Sequence, residues 1–113
     1  MDIRRHLTLV GEIGSKRVNA LIDTGATSTI VRGDIAERVG VPLTDPKPYA
    51  TQVGNGETMT MYKAELMWKY GKKLYPVSGF ICQEIPLEAI IGMDFLSLYK
   101  VTIDTRSNRL HFG

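Results

Sequence analysis

The sequence predicts an all-β domain, a barrel or closed sandwich of short strands with one or two short helices. Three observations carry that expectation. Apolar and polar residues alternate with period two through most of the chain, turn-forming Gly, Asn and Pro separate the runs, and helical spacing is confined to residues 34–40 and the stretch after Gly92. The 113 residues, 43% hydrophobic and 23% charged, suffice for one domain with a real core, taken as residues 1–113. That composition is too apolar for a disordered chain.

Each element follows from its local pattern. "HLTLVGEI" sets Leu7, Leu9 and Ile13 against Thr8 and Glu12, the pattern of a half-buried strand. Gly14-Ser15-Lys16-Arg17 reads as a turn, with "VNALID" returning to complete a hairpin, and "STIV" is the next short strand. "DIAERVG", residues 34–40, reads as a helix: Asp34 as its N-cap, Ile35 and Val39 on one face, Gly40 as its stop. Pro42, Pro46 and Pro48 make the following segment an extended connection. Two strand-like runs then flank Gly54-Asn55-Gly56, residues that tolerate positive φ at a hairpin tip. "YGKKL" turns the chain into "YPVSGFI", where Pro76 marks an edge or a bulge. "EAIIGMDFLSLY" begins as a strand and becomes a helix after Gly92, with Asp94 capping it and Phe95, Leu98 and Tyr99 facing inward. The C-terminal "VTIDTRSNRLHF" is a hairpin around Ser107-Asn108.

Charge and composition exclude several function classes. Fourteen basic against twelve acidic side chains give a net charge of +2, too balanced to argue for a nucleic-acid partner. The basic clusters Arg4-Arg5-His6 and Lys69, Lys72 and Lys73 read as solvated strand edges. "GDIAERVGVP" looks like the opening of a helix-turn-helix, but the prolines forbid a recognition helix after it. The single cysteine, Cys82, forms no internal disulfide and reads as a small core residue; as a nucleophile it would need a base from His6 or His111, at the two chain ends. Met59, Met61 and Met67 read as packing residues, as do Trp68 and Tyr70, and no metal site is expected. No run approaches the ~20 apolar residues of a membrane span. The N-terminus lacks a signal-peptide core, so the expectation is a soluble, cytoplasmic protein without a membrane partner.

Two junctions carry the chemistry. In "LIDTGAT" and "AIIGMD" an apolar strand stops abruptly at a small residue, which lets the backbone pass close to another segment. Asp23-Thr24-Gly25-Ala26, preceded by Leu21-Ile22, resembles the catalytic signature of the retroviral-type (retropepsin-like) aspartic proteases, particularly their small non-viral single-domain members. Ile90-Ile91-Gly92, leading into Met93-Asp94-Phe95-Leu96, matches the second hallmark of that family in spacing and order. The hairpin at Val53, Gly54, Asn55 and Gly56 falls where the family places its flap. The likeness runs from about His6 to Phe112.

The resemblance implies a closed barrel forming one lobe per chain, a homodimer, and an endopeptidase that needs no metal or organic cofactor. Asp23 from each of two protomers would share a site. Like charges so close cannot both ionise, so one carboxyl keeps its proton while the other takes a proton from water that attacks the peptide carbonyl. Thr24 would bond across the dimer, Gly25 would let the substrate backbone approach, and Ala26 would keep the loop small enough for a second copy to fit against it. Val53, Gly54, Asn55 and Gly56 would close over an extended peptide or protein substrate, with Ile90, Ile91 and Gly92 walling the cleft. Viral members commonly carry an acidic residue where Thr27 stands and an arginine where Met93 stands, so that ion pair is absent here. A catalytically silent peptide-binding or scaffolding dimer is the alternative reading.

Overall fold

The computed structural model describes residues 3–52 and 56–113. Strands β1 (Ile3–Val10) and β2 (Ser15–Ile22) form an antiparallel hairpin, followed by β3 (Ile30–Arg32) and helix α1 (Gly33–Val39). After the proline-rich connection come β4 (Tyr49–Gln52), β5 (Thr58–Tyr70) and β6 (Lys73–Cys82). The chain then runs through β7 (Ala89–Ile91) into helix α2 (Met93–Leu98), and ends in β8 (Thr102–Asp104) and β9 (Arg109–His111).

In space the main sheet is ordered β1-β2-β7-β3-β6-β5-β4, and β1 also pairs with β5 at Thr8↔Lys69 and Leu9↔Trp68. Six strands therefore close into a barrel, with β4 added outside on β5. Closure leaves the period-two alternation with one inside and one outside, and the inside is the core. Leu7 and Leu9, Val18 and Ala20, Ala64, Leu66 and Trp68, and Ile91 are all buried there. Each large side chain removed from water contributes about 1.5–3 kcal/mol. β8 and β9 pair only with each other among the described residues.

Aromatic packing joins that C-terminal hairpin to the barrel. Tyr75 stacks on Phe112 at 4.0 Å between centroids and meets Tyr99 edge-on at 5.0 Å. Phe95, fully buried in α2, lies 4.9 Å from Tyr99. The Tyr99 hydroxyl donates to the Pro76 carbonyl, and burial pushes that phenol above its ordinary range. Pro76 is tolerated because β3 covers only Phe80 to Cys82 of β6, leaving the earlier part of the strand an edge.

The strands and both helices fall where the sequence placed them, with local corrections. The first turn comes earlier, at Gly11–Gly14, closed by the Gly11 N–H on the Gly14 carbonyl, so Ser15, Lys16 and Arg17 already belong to β2. Ile13 leaves the strand pattern and is 77% exposed, because its N–H is used on the Val39 carbonyl at the end of α1. Asp34 is not the N-cap of α1. Arg32 holds that position without a side-chain cap and clamps the Asp34 carboxylate instead, at 2.7 and 3.2 Å, lowering it below the usual carboxylate range. Gly40 does stop the helix, with φ of 77°. In α2 the buried partner of Phe95 is Leu96, whereas Leu98 is 60% exposed. Pro42 to Pro48 form the expected extended connection, with no second helix, so the helix-turn-helix reading falls. β4 and β5 pair from Tyr49↔Met61 to Gln52↔Thr58, as a hairpin requires.

The β8–β9 turn contains a titrating clamp. The Ser107 hydroxyl, the Ser107 and Arg106 N–H groups and neighbouring His111 stabilise the Asp104 carboxylate and lower it from 3.8 to about 2. Because the folded value is depressed, its contribution is complete above 3.8 and disappears as pH falls through about 2. Asp104→Asn should remove this part of the acid sensitivity. Urea midpoints at about pH 6 and about pH 2.5 should differ less in the variant than in the wild type.

Candidate active site

The site is built by a strand inserted between two sequence neighbours. β7 lies between β2, with which it is parallel (Leu21↔Ile90, Ile22↔Ile91), and β3, with which it is antiparallel (Ile30↔Ile90). The loop of residues 23–29 must therefore cross over the end of β7, where Gly92 stands. A β-carbon on Gly92 would sit 2.6 Å from the Ser28 carbonyl oxygen and 2.9 Å from that of Ala26. Only glycine permits this approach without moving backbone.

Hydrogen bonds pin the loop at both ends. The Asp23 N–H donates to the Ile91 carbonyl at 3.0 Å, and the Met93 and Asp94 N–H groups donate to the Ala26 and Thr27 carbonyls at 2.8 and 3.1 Å. Within the loop, Gly25 N–H donates to Asp23 Oδ1 at 2.8 Å and Ala26 N–H to the Asp23 carbonyl at 3.2 Å. The carboxylate is thereby oriented by one oxygen. Its other oxygen has no hydrogen bond among the described residues. Asp23 is half-buried while Thr24 and Gly25 beside it are exposed, and the Thr24 hydroxyl has no partner among the described residues.

Two residues that the sequence reading did not assign to the site hold it from beneath. Thr29 is fully buried; its hydroxyl donates to Asp94 Oδ1 at 2.7 Å and accepts the Gly92 N–H at 3.2 Å, while its own N–H donates to Asp94 Oδ2 at 2.9 Å. Asp94 also accepts the Phe95 N–H at 2.7 Å, but the N-cap of α2 is Gly92, so Asp94 works as a strut to the loop rather than as a cap. The side chains of Thr27 and Met93 form no ion pair; the two residues meet the facing segment through backbone bonds, and Asp94–Thr29 supplies the side-chain link.

The remaining candidates separate clearly. Ile90 is half-exposed beside buried Ile91 and Gly92, and with Leu21 and Ile30 it forms an open apolar row leading to Asp23. Gly56 is exposed with φ of 85°, whereas Val53, Gly54 and Asn55 lie outside the described residues. Cys82 is buried, its thiol pushed up by desolvation and donating to Glu84 Oε2 at 3.3 Å. His111 sits against Asp104 and His6 lines a groove with Arg17, and among the described residues neither histidine is a partner of Cys82. Among the described residues no group of His, Cys, Asp and Glu could hold a metal, and no helix is long and apolar enough to cross a membrane.

A family model described as "gag-polyprotein putative aspartyl protease" matches residues 9–98. The chain belongs to this retropepsin-like family. It is 30% identical over 117 residues to DNA damage-inducible protein 1 of Yarrowia lipolytica, covering 100% of this chain and 29% of that protein. Protein DNA-DAMAGE INDUCIBLE 1 of Arabidopsis thaliana is also 30% identical, over 90% of this chain and 25% of its own length. The chain thus spans less than a third of the curated relatives it matches. Among solved structures, the retroviral protease-like domain of Ddi1 from Leishmania major superposes with a TM-score of 0.71 at 21% identity, over 99% of this chain and 88% of that one. The EIAV protease complexed with the inhibitor HBY-793 does so with a TM-score of 0.68 at 17% identity, over 92% and 93%. These two likenesses show the shared fold.

The strut is testable apart from any activity. Thr29→Val keeps the shape but leaves the Gly92 N–H unpaired in a buried position, and should cost about 1–3 kcal/mol in urea unfolding. Thr29→Ser, which keeps the hydroxyl, should restore most of that loss.

Proposed function

We propose that this chain is an aspartic endopeptidase domain that works as a homodimer, each protomer contributing Asp23 to one shared site. The observation that carries the reading is the Asp23 loop itself. Its backbone is fixed from below by Ile91, Met93 and Asp94, while one Asp23 oxygen and the exposed Thr24 hydroxyl have no partners among the described residues. A second copy of the same small-residue loop fits that requirement. Thr24 then bonds across the twofold, and the paired carboxyls hold one proton between them.

In the reaction the ionised carboxylate removes a proton from a water lying between the two groups. The water oxygen bonds to the peptide carbonyl carbon, and the protonated carboxyl donates to the carbonyl oxygen. As that tetrahedral species collapses the C–N bond breaks: the carboxyl that took the water's proton gives it to the leaving amine, and the other takes back a hydroxyl proton as the carbonyl reforms, which restores the pair. The residues present fit this chemistry without a metal, since the carboxyl pair both binds and activates the water. Leu21, Ile30 and Ile90 offer an apolar floor for an extended peptide.

Asp23→Asn should lower cleavage of a mixed peptide library by at least about 100-fold at acidic pH, with circular dichroism and sedimentation unchanged. Pepstatin should inhibit the wild type. A wild type that sediments as a dimer yet cuts no peptide from acidic to neutral pH would overturn the protease and leave the silent scaffold.

A further inference from the structure

A second built feature lies well away from Asp23. On the outer face of the barrel, strand register aligns four residues in one row across β2, β1, β5 and β6. Arg17 faces Thr8, Thr8 faces Lys69, and Lys69 faces Leu74. They line a groove of about 700 Å³ to which His6 and Lys72 also contribute. No carboxylate lines this groove, and none forms an ion pair with Arg17, Lys69 or Lys72 among the described residues. Leu74, at the end of the row, is 55% exposed.

Cross-strand cations normally meet acids, because like charges close together on one sheet face repel. Here a neutral threonine separates two cations, and a third stands at the adjoining turn. We propose that this groove docks an acidic, extended segment of a partner protein, distinct from any peptide held at Asp23. Four neighbouring strands span roughly 15 Å, which four or five extended residues cross. Carboxylates on that segment meet Arg17 and Lys69, and an apolar residue beyond them covers Leu74.

Charge complementarity with an apolar end favours a peptide over a phosphate polymer or a lipid surface. The positive field is local: Glu65 lies on the same face of β5, four residues from Lys69, and the whole chain carries only +2. A polyanion with charge at every unit would run out of the groove onto that acid. Arg17 precedes Asp23 by six residues of extended chain, roughly 20 Å, so occupation of the groove leaves the site open. The inference does not depend on the proposed protease activity.

The test is fluorescence anisotropy with a labelled peptide of Glu and Asp carrying one Leu, with single-stranded DNA of equal charge and phosphatidylserine vesicles as competing probes. The peptide should bind the wild type, more weakly as salt rises. Arg17→Glu with Lys69→Glu should weaken it by at least about tenfold, while Lys47→Glu with Arg106→Glu, equal in charge change but outside the groove, should leave it within about twofold. If the double reversal disturbs the thermal melt, Arg17→Gln with Lys69→Gln provides the same comparison. Absence of peptide binding, equal loss in the groove and control variants, or tighter binding of DNA or vesicles would each overturn the proposal.

Discussion

The molecule depends on one close approach, that of the 23–29 loop to Gly92. β7 can occupy the slot between β2 and β3 only if the chain crossing its end meets no side chain there, and 2.6 Å to the Ser28 oxygen leaves no room for one. Once seated, the strand offers its Ile91 carbonyl to Asp23, and the start of α2 offers N–H groups to Ala26 and Thr27. Each such bond contributes about 0.5–1.5 kcal/mol net. Their larger effect is geometric. The loop backbone is held at Asp23, Ala26 and Thr27, and within it the Gly25 N–H orients one oxygen of the Asp23 carboxylate.

The hold extends further than the loop. Thr29 and Asp94 lock the base of the loop to α2, and Phe95 in α2 packs into the ring cluster of Tyr75, Tyr99 and Phe112. Phe112 lies just beyond β9, so the last residues of the chain are in mechanical contact with the helix that braces Asp23. The other face of the barrel takes no part in this. That face carries Arg17, Lys69 and Lys72, which form no ion pair among the described residues, whereas Leu21, Ile30 and Ile90 near the loop are apolar and half-open.

Most of the architecture was legible in the sequence because strand alternation reports directly on which side faces the core. Leu7, Leu9, Val18 and Ala20 needed nothing else. Local turn chemistry is less decisive: the sequence places the first turn at Gly14–Arg17, and bonds from Glu12 and Ile13 to the far end of α1 draw it back to Gly11–Gly14. Asp34 looked like a cap because a helix follows it, but Arg32 competes for the same carboxylate. Leu98 seemed to share a face with Phe95 by helical spacing. In so short a helix the Asp94 tether sets the phase, and Leu96 turns inward instead. The site motif itself was readable as two short strings. The Thr29–Asp94 strut was not, since its members stand 65 residues apart and neither is unusual in its own surroundings.

The inserted strand also orders events in time. β2 and β3 are neighbours in sequence yet do not pair, so the chain must leave a gap one strand wide and fill it with residues made some 60 positions later. Hairpins such as β1–β2 and β5–β6 close short loops and form early, while contacts of such separation carry the larger entropic barrier. By that argument seating β7 is expected to come after the hairpins, and until it happens the Asp23 loop lacks its bond to the Ile91 carbonyl. A partly folded chain therefore lacks the backbone bonds from Ile91, Met93 and Asp94 that hold the Asp23 loop in place.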